Sequence, residues 1–80
     1  MMEISVRLFA SAREIAGMDE TTLALAEQAT LEDLQAALYQ RHPRLKDLRL
    51  RFAVNARYAP DQTTLESGDE VACIPPVGGG

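Results

Sequence analysis

Ile4, Val6 and Leu8 alternate with Ser5, Arg7 and Phe9, a period of two that predicts a strand with one buried face. Phe9 falls on the opposite face, a large aromatic turned away from the core. Residues 11–16 predict a short helix, with Ser11 as its N-cap and Gly17 where a left-handed residue closes a helix. Thr21 to Ala26 alternates weakly and predicts a second strand. Thr30 followed by Asp33 has the spacing of a capping box with a shorter acid than usual, and Leu31, Leu34, Ala37 and Leu38 then share one face at helical spacing. This helix should stop near Arg41-His42, because Pro43 disfavours helical geometry in the residue before it. Leu50 to Val54 predicts a third strand, Asn55-Ala56 a tight reversal, and Arg57 to Ala59 a short return strand. Pro60-Asp61 and Ser67-Gly68-Asp69 are turn signals around Leu65. Glu70 to Ile74 predicts a last strand, whose ladder Pro75 ends because it has no N–H to donate.

The predicted order is therefore strand, strand, helix, strand, short strand, strand, with one long amphipathic helix over one sheet. That is an α+β two-layer domain. No internal repeat, low-complexity linker or interior boundary interrupts it, so the reading is a domain over residues 1–74 followed by an extended tail over residues 75–80.

Composition narrows what such a domain does. Ten leucines and twelve alanines supply most of the apolar count in 80 residues. That suffices for one sheet covered on one face, but not for a deep enclosed pocket, which disfavours a small-molecule enzyme acting alone. Cys73 is the only cysteine, so no internal disulfide forms and a reducing, cytoplasmic setting is expected. Glu3 and Arg7 interrupt the N-terminal apolar residues before a signal peptide can develop, and runs such as Val71-Ala72-Cys73-Ile74 are too short to cross a bilayer. The expectation is a soluble protein with no membrane partner.

The net charge of −4 disfavours nucleic acid, but the charges are unevenly placed. Residues 1–40 carry seven acids against Arg7 and Arg13, whereas Arg41, Arg44, Lys46, Arg49 and Arg51 crowd the next stretch with His42. A solvated loop and strand edge is the simplest reading of this basic stretch, and a docking patch for an acidic partner is the alternative. Nucleic acid comes last, because no aromatic residues are interleaved for base stacking.

The richest chemistry lies at the other end. Gly78-Gly79-Gly80 follows directly on Pro75-Pro76-Val77. Glycine lacks Cβ, so this filament fits a slot too narrow for any other residue, and the only reactive group it offers is a terminal carboxylate. Pro75 and Pro76 fix φ in advance and lower the entropy cost of threading the tail into a partner. From the end of the last strand, Pro75 to Gly80 reaches at most roughly 20 Å. A carboxylate becomes reactive only with a better leaving group than oxide. ATP and magnesium supply one as AMP, and the acyl adenylate of Gly80 is then open to sulfur or to an amine.

The other candidates are weaker. Cys73 sits in an apolar strand with no neighbouring His or Lys to lower its pKa, the setting of a packing cysteine. His42 is the only histidine, which argues against a metal site or a His-based triad. Glu32-Asp33 and Glu66, Asp69 and Glu70 stand at helix-start and turn positions, where acids cap and complement dipoles. The glycine run precedes no helix, so it is not a phosphate-cradling loop. No complete catalytic set is legible.

Gly68-Asp69-Glu70-Val71, Pro75-Pro76-Val77 and Gly79-Gly80 together resemble the family of small, sulfur-carrier subunits of molybdopterin synthase. Phe9 to Gly17 looks like that family's N-terminal strand-to-helix stretch, and Ala53-Val54-Asn55 like its central strand and turn. The likeness spans essentially the full length, strongest in the C-terminal third. It departs at Gly78, where the family often has Thr or Ser, and at Cys73-Ile74, where aromatics commonly precede the Pro-Pro step. The resemblance implies a β-grasp, ubiquitin-like fold: a mixed sheet, one main helix on one face, and a flexible glycine tail. It implies that an ATP- and magnesium-consuming activating enzyme adenylates Gly80 and that a sulfur donor protein converts it to a thiocarboxylate, with no cofactor bound by this chain. It further implies that Pro75, Pro76, Val77, Gly78 and Gly79 thread into a large catalytic subunit, in a heterotetramer of paired small and large subunits, where sulfur passes to a pyranopterin precursor. Phe9, Arg13, Tyr58 and Ile74 would then lie at the contact with partner subunits. A sulfur carrier for thiamine synthesis or tRNA thiolation, a ubiquitin-like modifier of target lysines, and a plain interaction domain remain alternatives at this stage.

Overall fold

The computed structural model describes residues 1–76; the expectations for Val77, Gly78, Gly79 and Gly80 fall outside the described residues. Five strands form one mixed sheet: β1 (Met2–Leu8), β2 (Glu20–Leu25), β3 (Arg51–Val54), β4 (Arg57–Tyr58) and β5 (Glu70–Ile74). Their spatial order is β2-β1-β5-β3-β4. The N-terminal strand and the last strand lie side by side and parallel at the centre, from Ser5↔Glu70 to Leu8↔Cys73, and every other pairing is antiparallel.

The alternation in β1 does what its period demands. Met2, Ile4, Val6 and Leu8 are buried on one face, and antiparallel pairing places Leu25 and Leu23 of β2 opposite Met2 and Ile4. Helix α2 (Leu31–Arg41) lays Leu31, Leu34 and Leu38, all fully buried, into the core that this face forms with Val71 and Cys73 of β5. Each such leucine stabilises the fold by about 1.5–3 kcal/mol relative to an exposed one. The capping box is formed in both directions: the Asp33 N–H donates to Thr30 Oγ1 at 3.3 Å and the Thr30 N–H donates to Asp33 Oδ2 at 2.9 Å. The loop carrying Leu65 is tied to the start of α2, where the Leu31 N–H donates to the Thr63 carbonyl and the Leu65 N–H to the Ala29 carbonyl, each at 2.9 Å. This is the β-grasp arrangement that the resemblance implied.

Three details depart from expectation. The first helix, α1, runs Ala10–Ala16 with Phe9 as its N-cap, so Ser11 lies inside the helix and caps nothing. The cause is Ala10, whose φ of 50° turns the chain sharply out of β1 and starts the helix one residue early. Residues Pro43–Asp47 form a 3₁₀ turn that the polar run had hidden; Pro43 stands in its first turn and Leu45 is fully buried beneath it. Strand ends move by a residue, with β2 at Glu20–Leu25, Leu50 before β3 and Ala59 beyond β4.

The reversal at Asn55-Ala56 is formed as read, with φ of 50° and 71° at the two central residues, the left-handed pair a two-residue hairpin requires. Asn55 also clamps this turn to the start of β5: its side chain donates to Asp69 Oδ1 and accepts from the Glu70 N–H, both at 3.0 Å. Ala56 pays a steric penalty that glycine would not. Ala56→Gly is expected to stabilise the domain by about 0.5–1 kcal/mol, read as a rise of a few degrees in Tm on thermal unfolding; an unchanged or lower Tm contradicts the account.

Candidate functional site

The chain leaves the sheet at its centre. β5 lies between β1 and β3, and Ile74, its last residue, is paired with Arg51 of β3; Pro75 after it is buried and Pro76 is exposed. The Phe9 N–H donates to the Cys73 carbonyl at 3.4 Å, extending the β1–β5 contact one residue beyond the ladder. The chain therefore leaves the domain from the central strand of the sheet.

Side-chain alternation sorts the residues around this point. Val71 and Cys73 face the core, leaving Glu70, Ala72 and Ile74 on the face turned away from α2. Cross-strand register puts Ala53 beside Ala72, Arg51 beside Ile74 and Tyr58 beside Ala53. Ala53 is 5% exposed yet lies outside the core cluster, because it is covered from this outer side. Phe9 and Tyr58 stay exposed, at 42% and 56%. Each sits beneath an arginine: the Arg7 guanidinium carbon lies 5.9 Å from the Phe9 ring centroid, and that of Arg51 lies 4.0 Å from the Tyr58 centroid. Arg7 also pairs with Glu70 at 3.9 Å, an exposed contact that contributes at most about 1 kcal/mol.

The sheet thus brings Phe9, Ile74 and Tyr58 to one face around the root of the tail. Arg13 stands one helical turn after Phe9, its N–H donating to the Phe9 carbonyl at 3.3 Å, and is exposed on α1. Arg51, Tyr58, Ile74, Pro75 and Pro76 line a mostly apolar cleft of about 290 Å³. Arg51 was legible only as part of a basic run. Its parity with Ala53 in β3 places it on the outer face, but nothing in the sequence reveals that Ile74 is its neighbour.

Cys73 is fully buried on the opposite, core-facing side of β5, and burial pushes its thiol up to about 12. A thiol held protonated is a poor nucleophile. Its linkage to stability has a definite sign. The unfolded thiol ionises near 9 while the folded one stays neutral, so stability is full below that pH and falls as pH rises toward 12. Cys73→Ala is expected to remove this thiol's share of the alkaline loss, seen as a shallower decline of Tm between pH 8 and about 10.5. An equally steep decline in the variant would contradict the account.

Other groups stay apart from the tail. A shallow depression of about 540 Å³ lies along α2, bounded by Glu32, Gln35, Tyr39, Lys46 and Asp61, with Gln35 donating to Asp61 at 2.9 Å. His42 lies at the C-terminal end of α2, and its Nε2 is buried without a hydrogen-bond partner. Among the described residues no His, Cys, Asp and Glu side chains cluster as a metal site, and no helix is long and apolar enough to cross a membrane.

Comparison with known proteins places this arrangement. The ThiS family model matches residues 6–80. The molybdopterin synthase sulfur carrier subunit of Chlamydomonas reinhardtii is 43% identical, over 99% of this chain and 100% of that protein. The subunit of the same name from Mycobacterium tuberculosis is 41% identical over the full length of both. Among solved structures, a Pyrococcus furiosus protein described as molybdopterin converting factor subunit 1 superposes with a TM-score of 0.91 at 32% identity, covering 96% of this chain and 100% of that one. SAMP1 from Haloferax volcanii gives a TM-score of 0.89 at 28% identity, over 98% of this chain and 99% of its own. A complex of subunits 1 and 2 of the Helicobacter pylori molybdopterin-converting factor gives 0.72 at 26% identity, over 99% of this chain and 100% of the matched one. A centrally anchored C-terminal strand, an outer face bearing exposed aromatics, and likeness over essentially the whole length agree: the chain belongs to the ThiS family, among the molybdopterin synthase sulfur carrier subunits.

Proposed function

We propose that this chain carries sulfur for molybdopterin synthesis on the α-carboxylate of Gly80. An activating enzyme consumes ATP and magnesium: the carboxylate attacks the α-phosphorus, pyrophosphate leaves, and the acyl adenylate forms. Sulfur from a donor protein displaces AMP to give the thiocarboxylate. The tail, Pro75 to Gly80, then enters the large synthase subunit and delivers its sulfur to the pyranopterin precursor. A dithiolene holds a pair of sulfurs, so each product consumes a pair of carrier turnovers. The chain binds no cofactor of its own and works in the cytoplasm, within a heterotetramer of paired small and large subunits.

The observation that carries this reading is the match to curated sulfur carrier subunits along the whole of their length, through the glycines. The Helicobacter pylori complex of subunits 1 and 2 supports a large-subunit partner. Geometry supports its docking surface: Phe9, Tyr58 and Ile74 share one face at the tail's root, with Arg13 a turn away. An exposed aromatic pair beside a threading tail suits a protein contact better than a small-molecule site.

A second reading has its own support in the likeness to SAMP1, a small archaeal modifier by name. Modifier and carrier share the chemistry up to the adenylate and diverge at the attacking nucleophile, amine or sulfur. Intact-mass measurement of the protein recovered from cells separates them. A population heavier by one oxygen-for-sulfur exchange is expected. A ladder of conjugates with no thiocarboxylate overturns carriage in favour of modification, and neither species leaves an inert domain.

A further inference from the structure

The two arginine–aromatic pairs on the outer face are not equivalent. Over Phe9, Arg7 already has its acid in Glu70. Over Tyr58, Arg51 sits closer, at 4.0 Å, and enters no ion pair or side-chain hydrogen bond among the described residues. Its guanidinium is fixed by the ring while its N–H donors are uncommitted. A stacked guanidinium presents those donors at its edge, in the fork that matches a carboxylate. The location sharpens the point. Arg51 is the cross-strand neighbour of Ile74, the residue before Pro75-Pro76, and it walls the cleft lined by Tyr58, Ile74 and both prolines. Whatever swallows the tail must pass over this cleft, and an unpaired cation there costs binding energy unless it meets an anion.

We propose that Arg51 is the charged docking residue of the carrier: on its Tyr58 platform it takes a carboxylate of the large synthase subunit, beside an apolar side chain of that subunit that fills the cleft. This rests on the sulfur-carrier reading and adds to it a residue and a partner chemistry. The exposed Arg44, Lys46 and Arg49 of the same basic stretch add positive charge that steers approach at long range, while Arg51 sets the fit. The large subunit, and not the activating enzyme, is the intended occupant.

The experiment measures affinity of the full-length chain for purified large subunit, and thiocarboxylate formation by intact mass, in the parent and in Arg51→Leu, Arg51→Lys and Arg51→Glu. Arg51→Leu should weaken large-subunit binding about tenfold and flatten its salt dependence, at unchanged Tm. Arg51→Lys should fall between parent and Leu, because it keeps charge but loses fork and stack. Arg51→Glu should be weakest. Sulfur transfer at limiting carrier should fall in step with affinity, and the effect on large-subunit binding should exceed any effect on thiocarboxylate formation. Parental affinity in Arg51→Leu overturns the proposal while the sulfur-carrier reading stands, as does an effect confined to thiocarboxylate formation or one that tracks a fall in Tm. A parent chain that forms no thiocarboxylate and binds no large subunit overturns both.

Discussion

On the sulfur-carrier reading proposed above, removal of Gly80 is expected to abolish sulfur transfer and to leave Tm unchanged. Among the described residues, every member of the hydrophobic core lies between Met2 and Cys73, and a glycine brings no side chain to a core. What is lost is position. Truncation moves the proposed reactive carboxylate back by one residue, a contour length of about 3.5 Å. Group transfer demands reacting atoms within about 3–3.5 Å of each other, so that retreat is as large as the whole tolerance. The new terminus is still a glycine carboxylate with the same intrinsic reactivity, which makes the truncation a clean test of placement against chemistry. The checks are thermal unfolding, large-subunit binding and sulfur transfer from chemically thiolated carrier. Binding should fall little, because the docking face is untouched. Parental transfer by the truncated chain would show that the reacting carboxylate need not stand at Gly80.

Leu34→Ala produces the opposite pattern. Leu34 is fully buried at the centre of the α2 face, and truncating such a side chain costs about 3–5 kcal/mol through lost burial and the cavity left behind. A domain of 80 residues holds roughly 4–12 kcal/mol in all. The variant is therefore expected to lose more than 10 °C in Tm, at about 4–8 °C per kcal/mol, and to populate the unfolded state near physiological temperature. Well below its midpoint it should still carry and transfer sulfur, since no tail or outer-face residue has changed. Leu34→Met keeps the volume and should cost under about 1.5 kcal/mol. A Leu34→Ala protein with parental Tm would mean that α2 is not seated as described.

These two variants divide the molecule along the line that its sequence draws most clearly. The period-two β1, the Thr30–Asp33 capping box, the leucine stripe of α2, the Asn55-Ala56 reversal and β5 were each legible, because each rests on contacts within one element or one turn. The 3₁₀ turn at Pro43–Asp47 was not: five residues make less than two turns, and a single buried leucine among charges sets up no periodicity. The start of α1 misled for a related reason. Ser11 is a good cap by type, but Ala10 turns left-handed and the helix begins there, with Phe9 in the N-cap position. At the candidate site, Phe9 turned away from the core was readable from parity, and the glycines from composition. The place of Arg51 beside Ile74 was not, because it depends on the register of β3 on β5, a strand distant in sequence.

The parallel pairing of β1 with β5 has a consequence for how this protein comes to exist. Val6 has no central neighbour until Val71 arrives, so a nascent chain leaving the ribosome exposes its first apolar strand for nearly all of synthesis, several seconds at about 5–20 residues per second. Folding of this domain must wait until β5 has been made. A message cut short anywhere upstream of β5 yields no half-built carrier, only a chain fit for proteolysis.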